Sequence, residues 1–214
     1  MNDPKYWMSM LLLLAALKLA AQPAEGFVPL KEVAAFQQAL EQASARIHTI
    51  DSDFVQEKQL SFLSNKVVSN GHFSFKKDNQ LRWEYVSPYS YLIIINGDKI
   101  SISDEQQQSA FDMKANKMFQ EINRVMMGSV QGTIFKGEDF EASFYESEDQ
   151  YLVQAVPRMK SMRDALQRID IYFDKKDLTV AELKLLEQSG DYTRIVFTRK
   201  QVNIPIPDEQ FRLD

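Results

Sequence analysis

The chain has 214 residues, of which 44% are hydrophobic and 11% aromatic, and a formal net charge of −5 at pH 7. A chain of this length can bury a substantial core without covalent staples, and it has no cysteine, which excludes a disulfide framework, thiol chemistry and a lipid-modified cysteine. The acidic balance argues against a nucleic-acid partner, because lysine and arginine contacts to phosphate supply most of such affinity.

Met8 to Leu17 reads MSMLLLLAAL and gives way to small residues ending at Ala21. The run is too short to span a bilayer, and with Lys5 ahead of it the pattern predicts a cleaved secretory signal over residues 1–21. An uncleaved N-terminal anchor is the rival reading. Residues 22–214 then form one domain. Two lysines and one aspartate leave with the leader, taking the formal charge from −5 to −6. No later stretch is apolar for long enough to suggest a membrane-spanning helix.

Val33, Phe36, Leu40, Ala43 and Ile47 recur at spacings of three and four, which predicts a helix over Pro29 to Ile50 with Pro29 in its first turn. A strand series follows: Asp51–Gln59, Val67–Lys77, Gln80–Val86, Tyr89–Asn96, Lys99–Ser103 and Gln106–Phe111. The Asn96-Gly97 pair is a hairpin signal. Within this series Phe73, Phe75, Leu81, Trp83 and Tyr85 fall on alternate positions, so extended strands would present them all to one side. A face so aromatic needs a cover, either the protein's own helices or an apolar ligand. Tyr91 to Ile95 is apolar on both faces, and its pattern does not say which set points inward.

A methionine-rich helix is predicted from about Asn116 to Met127, with Met118, Phe119, Ile122 and Met126 on one flank. Strands resume at Phe140–Glu146, Tyr151–Val156, Leu166–Asp174, Val180–Glu187, Tyr192–Lys200 and a short end at Gln210–Leu213. The fold class is mainly β with some helix (α+β). It is a large, strongly curved antiparallel sheet of about ten or eleven strands whose inner face is partly covered by two helices.

Signatures of catalysis fail on inspection. Gly128 to Gly132 reads GSVQG, with serine one place too early for a nucleophile elbow. Gly132 to Gly137 has phosphate-loop spacing, but Glu138 and Asp139 follow where lysine and serine or threonine belong. His48 and His72 are the only histidines and lack metal-ligand spacing. Asp51 with Asp53 and Asp170 with Asp174 are formally possible acid–base pairs, but charges on exposed strand faces explain them more simply. No catalytic, metal or cofactor-binding residue is assigned.

Asp53 to Asp98 resembles the LolA family of periplasmic lipoprotein carriers. The similarity rests on Phe54, Gln56 and Lys58 in DFVQEK, on Gly71, Phe73 and Phe75 in GHFSF, on KKDNQLRWEY from Lys76 to Tyr85, on Pro88, and on the Asn96–Lys99 turn. The resemblance implies an incomplete β-barrel with helices forming a lid over an apolar cavity. Phe54, Phe73, Phe75, Leu81, Trp83, Tyr85, Tyr91 and Ile93 would line it, with Ile95 a further candidate, and Phe119, Ile122 and Met126 would form the lid. Relatives carry Arg-Pro ahead of the tryptophan strand, where the arginine ties the lid to the barrel. This chain has Lys77 and Asp78 there, and lysine cannot reproduce a planar bidentate donor, so Lys77 is a candidate latch of weaker kind.

By the same resemblance, the chain is a monomeric carrier in the periplasm that needs no cofactor. It would take acylated lipoproteins from an inner-membrane ABC-type lipoprotein-releasing transporter and pass them to an outer-membrane acceptor. Two other functions suit the same architecture: a sensor of mislocalised lipoproteins, and a carrier of another lipid or glycolipid.

Overall fold

Strand alternation assembles the described strands into one sheet in the computed structural model, which describes residues 24–113, 127–128 and 139–213. The elements up to residue 113 are β1 (Val28–Pro29), α1 (Val33–Ala45), β2 (Thr49–Gln59), β3 (Val67–Lys76), β4 (Gln80–Ser87), β5 (Tyr91–Asn96), β6 (Lys99–Asp104) and β7 (Gln108–Asp112). After them come β8 (Phe140–Glu146), β9 (Gln150–Pro157), α2 (Lys160–Arg163), β10 (Leu166–Asp174), β11 (Val180–Glu187), β12 (Tyr192–Val202) and a terminal 3-10 turn (Asp208–Phe211). Among the described residues twelve strands pair antiparallel in the order β1-β8-β9-β10-β11-β12-β2-β3-β4-β5-β6-β7. The strand beyond the expected ten or eleven is the two-residue β1, too short to leave a period in the sequence.

The edge strands β1 and β7 do not pair with each other, so the sheet curls into an incomplete barrel. Register shifts at Asn70/Gly71 and Thr198/Gln201 accentuate the bend, the second beside Arg199 at φ 53°. The predicted Asn96-Gly97 hairpin is present, with Asn96 opposite Lys99 and Gly97 at φ 62°, which glycine adopts without penalty.

Helix α1 lies on the inner face over β8–β11. Its Phe36 and Leu40 pack with Val153, Ala155, Ile169, Ile171 and Phe173 in one apolar cluster. The Phe36 ring stands 4.4 Å from Tyr151 and 6.0 Å from Phe173. On the opposite, outer face of the sheet, charges pair across neighbouring strands or along one strand. Arg194 bridges to Glu182 through two 2.7 Å bonds, and Arg168 donates to Asp170 at 2.6 Å.

Three sequence expectations need correction. The first helix stops at Ala45, and Thr49 and Ile50 belong to β2. The Asn203 side chain captures the connection, accepting from the His48 N–H at 2.7 Å and donating to the Arg46 carbonyl at 3.0 Å. Pro29 belongs to β1, opposite Tyr145, instead of a helical turn. The chain end expected as a strand at Gln210–Leu213 is a 3-10 turn after Pro207, whose ring lacks the N–H that a ladder requires. Its Phe211, with Ile206, packs on Ile94 from outside the barrel. Of the predicted methionine-rich helix, Met127 is helical and buried, while Phe119, Ile122 and Met126 lie outside the described residues. So do residues 1–21.

Candidate functional site: an aromatic inner wall

The inner face over β2–β6 and β12 is built by cross-strand pairs that share one side of the pleat. Phe73 stands opposite Trp83, and Trp83 opposite Ile93. Phe75 stands opposite Leu81, and Leu81 opposite Ile95. Tyr85 faces Tyr91, and Phe54 faces Phe197. The register brings Phe54, Phe73, Phe75, Leu81, Trp83, Tyr85 and Ile93 into one cluster, together with Ile47, Ile50, Ile195, Met113 and Met127. Tyr91 joins it through its ring, 6.3 Å from that of Tyr85.

The rings form a continuous stack. Trp83 lies 4.5 Å from Phe54 and 5.4 Å from Phe73, while Phe54 meets Tyr85 edge-on at 5.2 Å. Each such pair adds about 0.5–1.5 kcal/mol beyond its buried area. Gly71 makes the stack possible. A Cβ at that position would come 2.5 Å from Phe54 Cζ and would strike the Glu84 carbonyl oxygen, so any larger residue displaces the ring or the strand.

Polar groups on this face are few. The Tyr85 hydroxyl donates to Gln56 Oε1 at 3.0 Å, and burial pushes its pKa up. Trp83 Nε1 is buried near that hydroxyl without a bond of hydrogen-bond geometry, and the buried Ser52 and Ser69 hydroxyls also lack partners. Ser52 stands opposite Phe73 and Ser69 opposite Gln56, which puts both on the inner side.

The structure resolves the ambiguity of β5. Tyr91, Ile93 and Ile95 point inward, while Ile94 points outward beneath Ile206 and Phe211. Phe197 was missed as a wall residue, although its signal was present: Ile195 and Phe197 alternate within a strand that the sequence did identify. Lys77 sits exposed in the turn after β3, where its N–H donates to the His48 carbonyl at 2.8 Å.

Residues considered for chemistry lie elsewhere. Asp53 pairs with His72 and Arg199, Asp51 accepts from Ser74 at 2.6 Å, and His48 is exposed. Among the described residues no group of three or more histidine, cysteine, aspartate or glutamate side chains is placed to hold a metal ion. No helix of the described residues is long and apolar enough to cross a membrane.

An unclosed antiparallel barrel whose interior carries a wall of stacked rings defines a class of proteins built around an apolar inner surface. The family model described as outer membrane lipoprotein carrier protein LolA matches residues 45–214, and the chain belongs to that family. Curated relatives named outer-membrane lipoprotein carrier protein include one from Dechloromonas aromatica, 27% identical over 67% of this chain, and one from Methylibium petroleiphilum, 24% identical over 78%. The match spans 66% of the first relative's own length and 79% of the second's.

Solved structures share the fold at lower identity. A chain of the Pseudomonas aeruginosa MucA/MucB complex superposes with TM-score 0.52 at 12% identity, over 85% of this chain and 61% of that one. An uncharacterized conserved protein from Thermus thermophilus also reaches 0.52 at 9% identity, over 86% of this chain and 95% of its own.

Proposed function

We propose that this chain is a periplasmic carrier that shields the acyl chains of lipoproteins between the inner and the outer membrane. On this reading residues 1–21 are its secretory leader. Loading would come from an inner-membrane ABC-type transporter and unloading would be to an outer-membrane acceptor. The observation that carries the proposal is the ring stack on the inner face, from Phe54 and Phe73 through Trp83 to Tyr85, in a chain of the lipoprotein-carrier family.

The energetics suit a carrier. One acyl chain of roughly sixteen carbons gains on the order of 12 kcal/mol gross when it leaves water, so it does not diffuse free. A carrier must also release its load, which requires an interior that is less than fully complementary. The unpaired Trp83 Nε1 and the Ser52 and Ser69 hydroxyls supply such imperfection, since a native core normally satisfies these groups. Ester or amide carbonyls of a bound lipid would accept from them.

The test is a pulse-chase transfer of labelled lipoprotein from spheroplasts, with and without this chain, combined with photocrosslinking from position 83. Release that depends on the chain, with crosslinks at 83 and none from exposed control sites, is the expected result. Release unchanged by its addition, with no crosslink at 83, would defeat the carrier reading. Lipoprotein bound without transfer, together with a co-purifying membrane partner, would mark a sensor. Free lipid or glycolipid as the only bound species would mark a different carrier.

A further inference from the structure

Among the described residues seven large apolar side chains are exposed, and five of them lie at one end of the barrel. Phe62 and Leu63 occupy the β2–β3 connection, Val68 follows it, and Val86 and Tyr89 flank the β4–β5 connection. Phe62 is 76% exposed and Tyr89 is 50% exposed. A single exposed apolar residue needs no explanation, but a cluster at one rim of a fold with an apolar interior does.

The tip is held in place by a network of bonds. The Ser61 N–H donates to Asp191 Oδ1 at 2.7 Å, and the Leu63 N–H closes a turn on the Leu60 carbonyl at 3.0 Å. The Gln59 side chain donates to the Leu60 carbonyl at 3.3 Å. Phe62 therefore projects from a braced turn, when burying it would remove an apolar ring from water. The second rim residue joins the interior directly. Tyr89 lies 6.4 Å from Tyr85, which lies 6.4 Å from Trp83, so aromatic surface runs unbroken from rim to wall.

We propose that this rim, with Phe62 on one connection and Tyr89 on another at the same end of the barrel, docks into the interfacial layer of a lipid bilayer, so that the aromatic stack leads from the membrane to the interior. The inference rests on the carrier reading, and it adds the surface from which cargo enters or leaves. Phenylalanine and tyrosine on a protruding edge suit the headgroup–acyl boundary, where one side of the ring is greasy and the other wet. The lysines nearest the tip are matched by carboxylates, Lys66 by Glu57 at 2.9 Å and Lys58 by Glu187 at 3.9 Å. With an acidic chain as well, the rim fits a zwitterionic surface and has no electrostatic attraction to an anionic one.

The experiment is flotation of the full chain with phosphatidylcholine vesicles, comparing the natural sequence with Phe62→Ser. Partitioning is expected to fall about tenfold in the variant, the scale of an aromatic ring kept in water. In a Phe62→Trp chain, brominated acyl chains should quench emission beyond the quenching seen in the natural sequence. Equal partitioning of both chains, no vesicle binding at all, or no added quenching would overturn the proposal. So would a dimer dispersed by Phe62→Ser, which would show the rim to be covered by a second copy.

A parallel titration with a triacylated lipopeptide in detergent-free buffer separates the two readings. Phe62→Ser should bind it as the natural sequence does. Loss of rim docking with lipopeptide binding intact in both chains is the expected pattern. Absence of lipopeptide binding in both chains, with vesicle docking intact, would defeat the carrier reading alone.

Discussion

The two halves of the inner face are covered in different ways. On β9 and β10, beneath α1, the sheet carries Val153, Ala155, Ile169, Ile171 and Phe173, each fully excluded from solvent, while Leu183 and Leu185 of β11 at the margin are partly buried. Over β2–β6 and β12 it carries large rings, of which Phe54, Phe73, Phe75 and Trp83 are buried, while Tyr85 and Phe197, with Ile93, remain only partly buried. Branched aliphatic side chains interlocked under a helix give a rigid seam. The stacked rings have unpaired polar atoms among them, at Ser52, Ser69 and Trp83, which the aliphatic seam lacks at its centre. Leu183 touches both clusters, so the aromatic half is joined to the aliphatic half through one sheet.

The comparison predicts unequal responses to truncation. Phe173→Ala, in the aliphatic half, should lower stability by about 4 kcal/mol in urea unfolding, at the level of other buried phenylalanines. Phe197→Ala, in the half-buried wall, should cost about 2 kcal/mol. Equal losses would show that both halves are packed alike and would remove the distinction.

Gly71→Ala sharpens the role of the ring stack, because the new methyl group meets Phe54 and the Glu84 carbonyl. A loss of about 2 kcal/mol is expected from overpacking. Phe54→Leu in the same chain should recover part of it. A loss with no recovery would place the strain in the backbone instead of the ring.

On the outer face Tyr172 gives a pH-dependent contrast. Burial, with Asp170 and Glu182 nearby, pushes its pKa up to about 12 from the ordinary value of 10. The folded state therefore keeps a proton that the unfolded chain gives up above pH 10, and stability should fall between about pH 10 and pH 12. The ring is partly exposed, so its share of that fall is discounted to about 1 kcal/mol. Tyr172→Phe should flatten the profile in that window. An unchanged slope would assign the alkaline loss to other groups.

The smallest effect belongs to the surface pair of Lys66 and Glu57. Lys66→Ala should leave the urea-unfolding midpoint nearly unchanged, with any shift smaller still at high salt. A larger shift would mean that the rim is also maintained by charge.

Much of the wall was legible because strand alternation is a local property. Phe73, Phe75, Leu81, Trp83 and Tyr85 share a side in any extended chain, and hairpin turns fix which of them stand opposite each other. Phe54 was placed by the same period and by its resemblance to the carrier pattern. Other features had no local signature. The end of α1 is set by Asn203, more than 150 residues away, and the rim was invisible because exposure is not written in the identity of Phe62.

The amino-acid sequence determined the set of strands, their inner and outer faces, and the presence of an aromatic surface, since each follows from a period of two and from turn residues. Tertiary structure decided what covers each face. β5 shows the division: it is apolar on both sides, and only the C-terminal turn lying over Ile94 assigns Tyr91, Ile93 and Ile95 to the interior. Burial is a relation between distant segments, and no local pattern contains it.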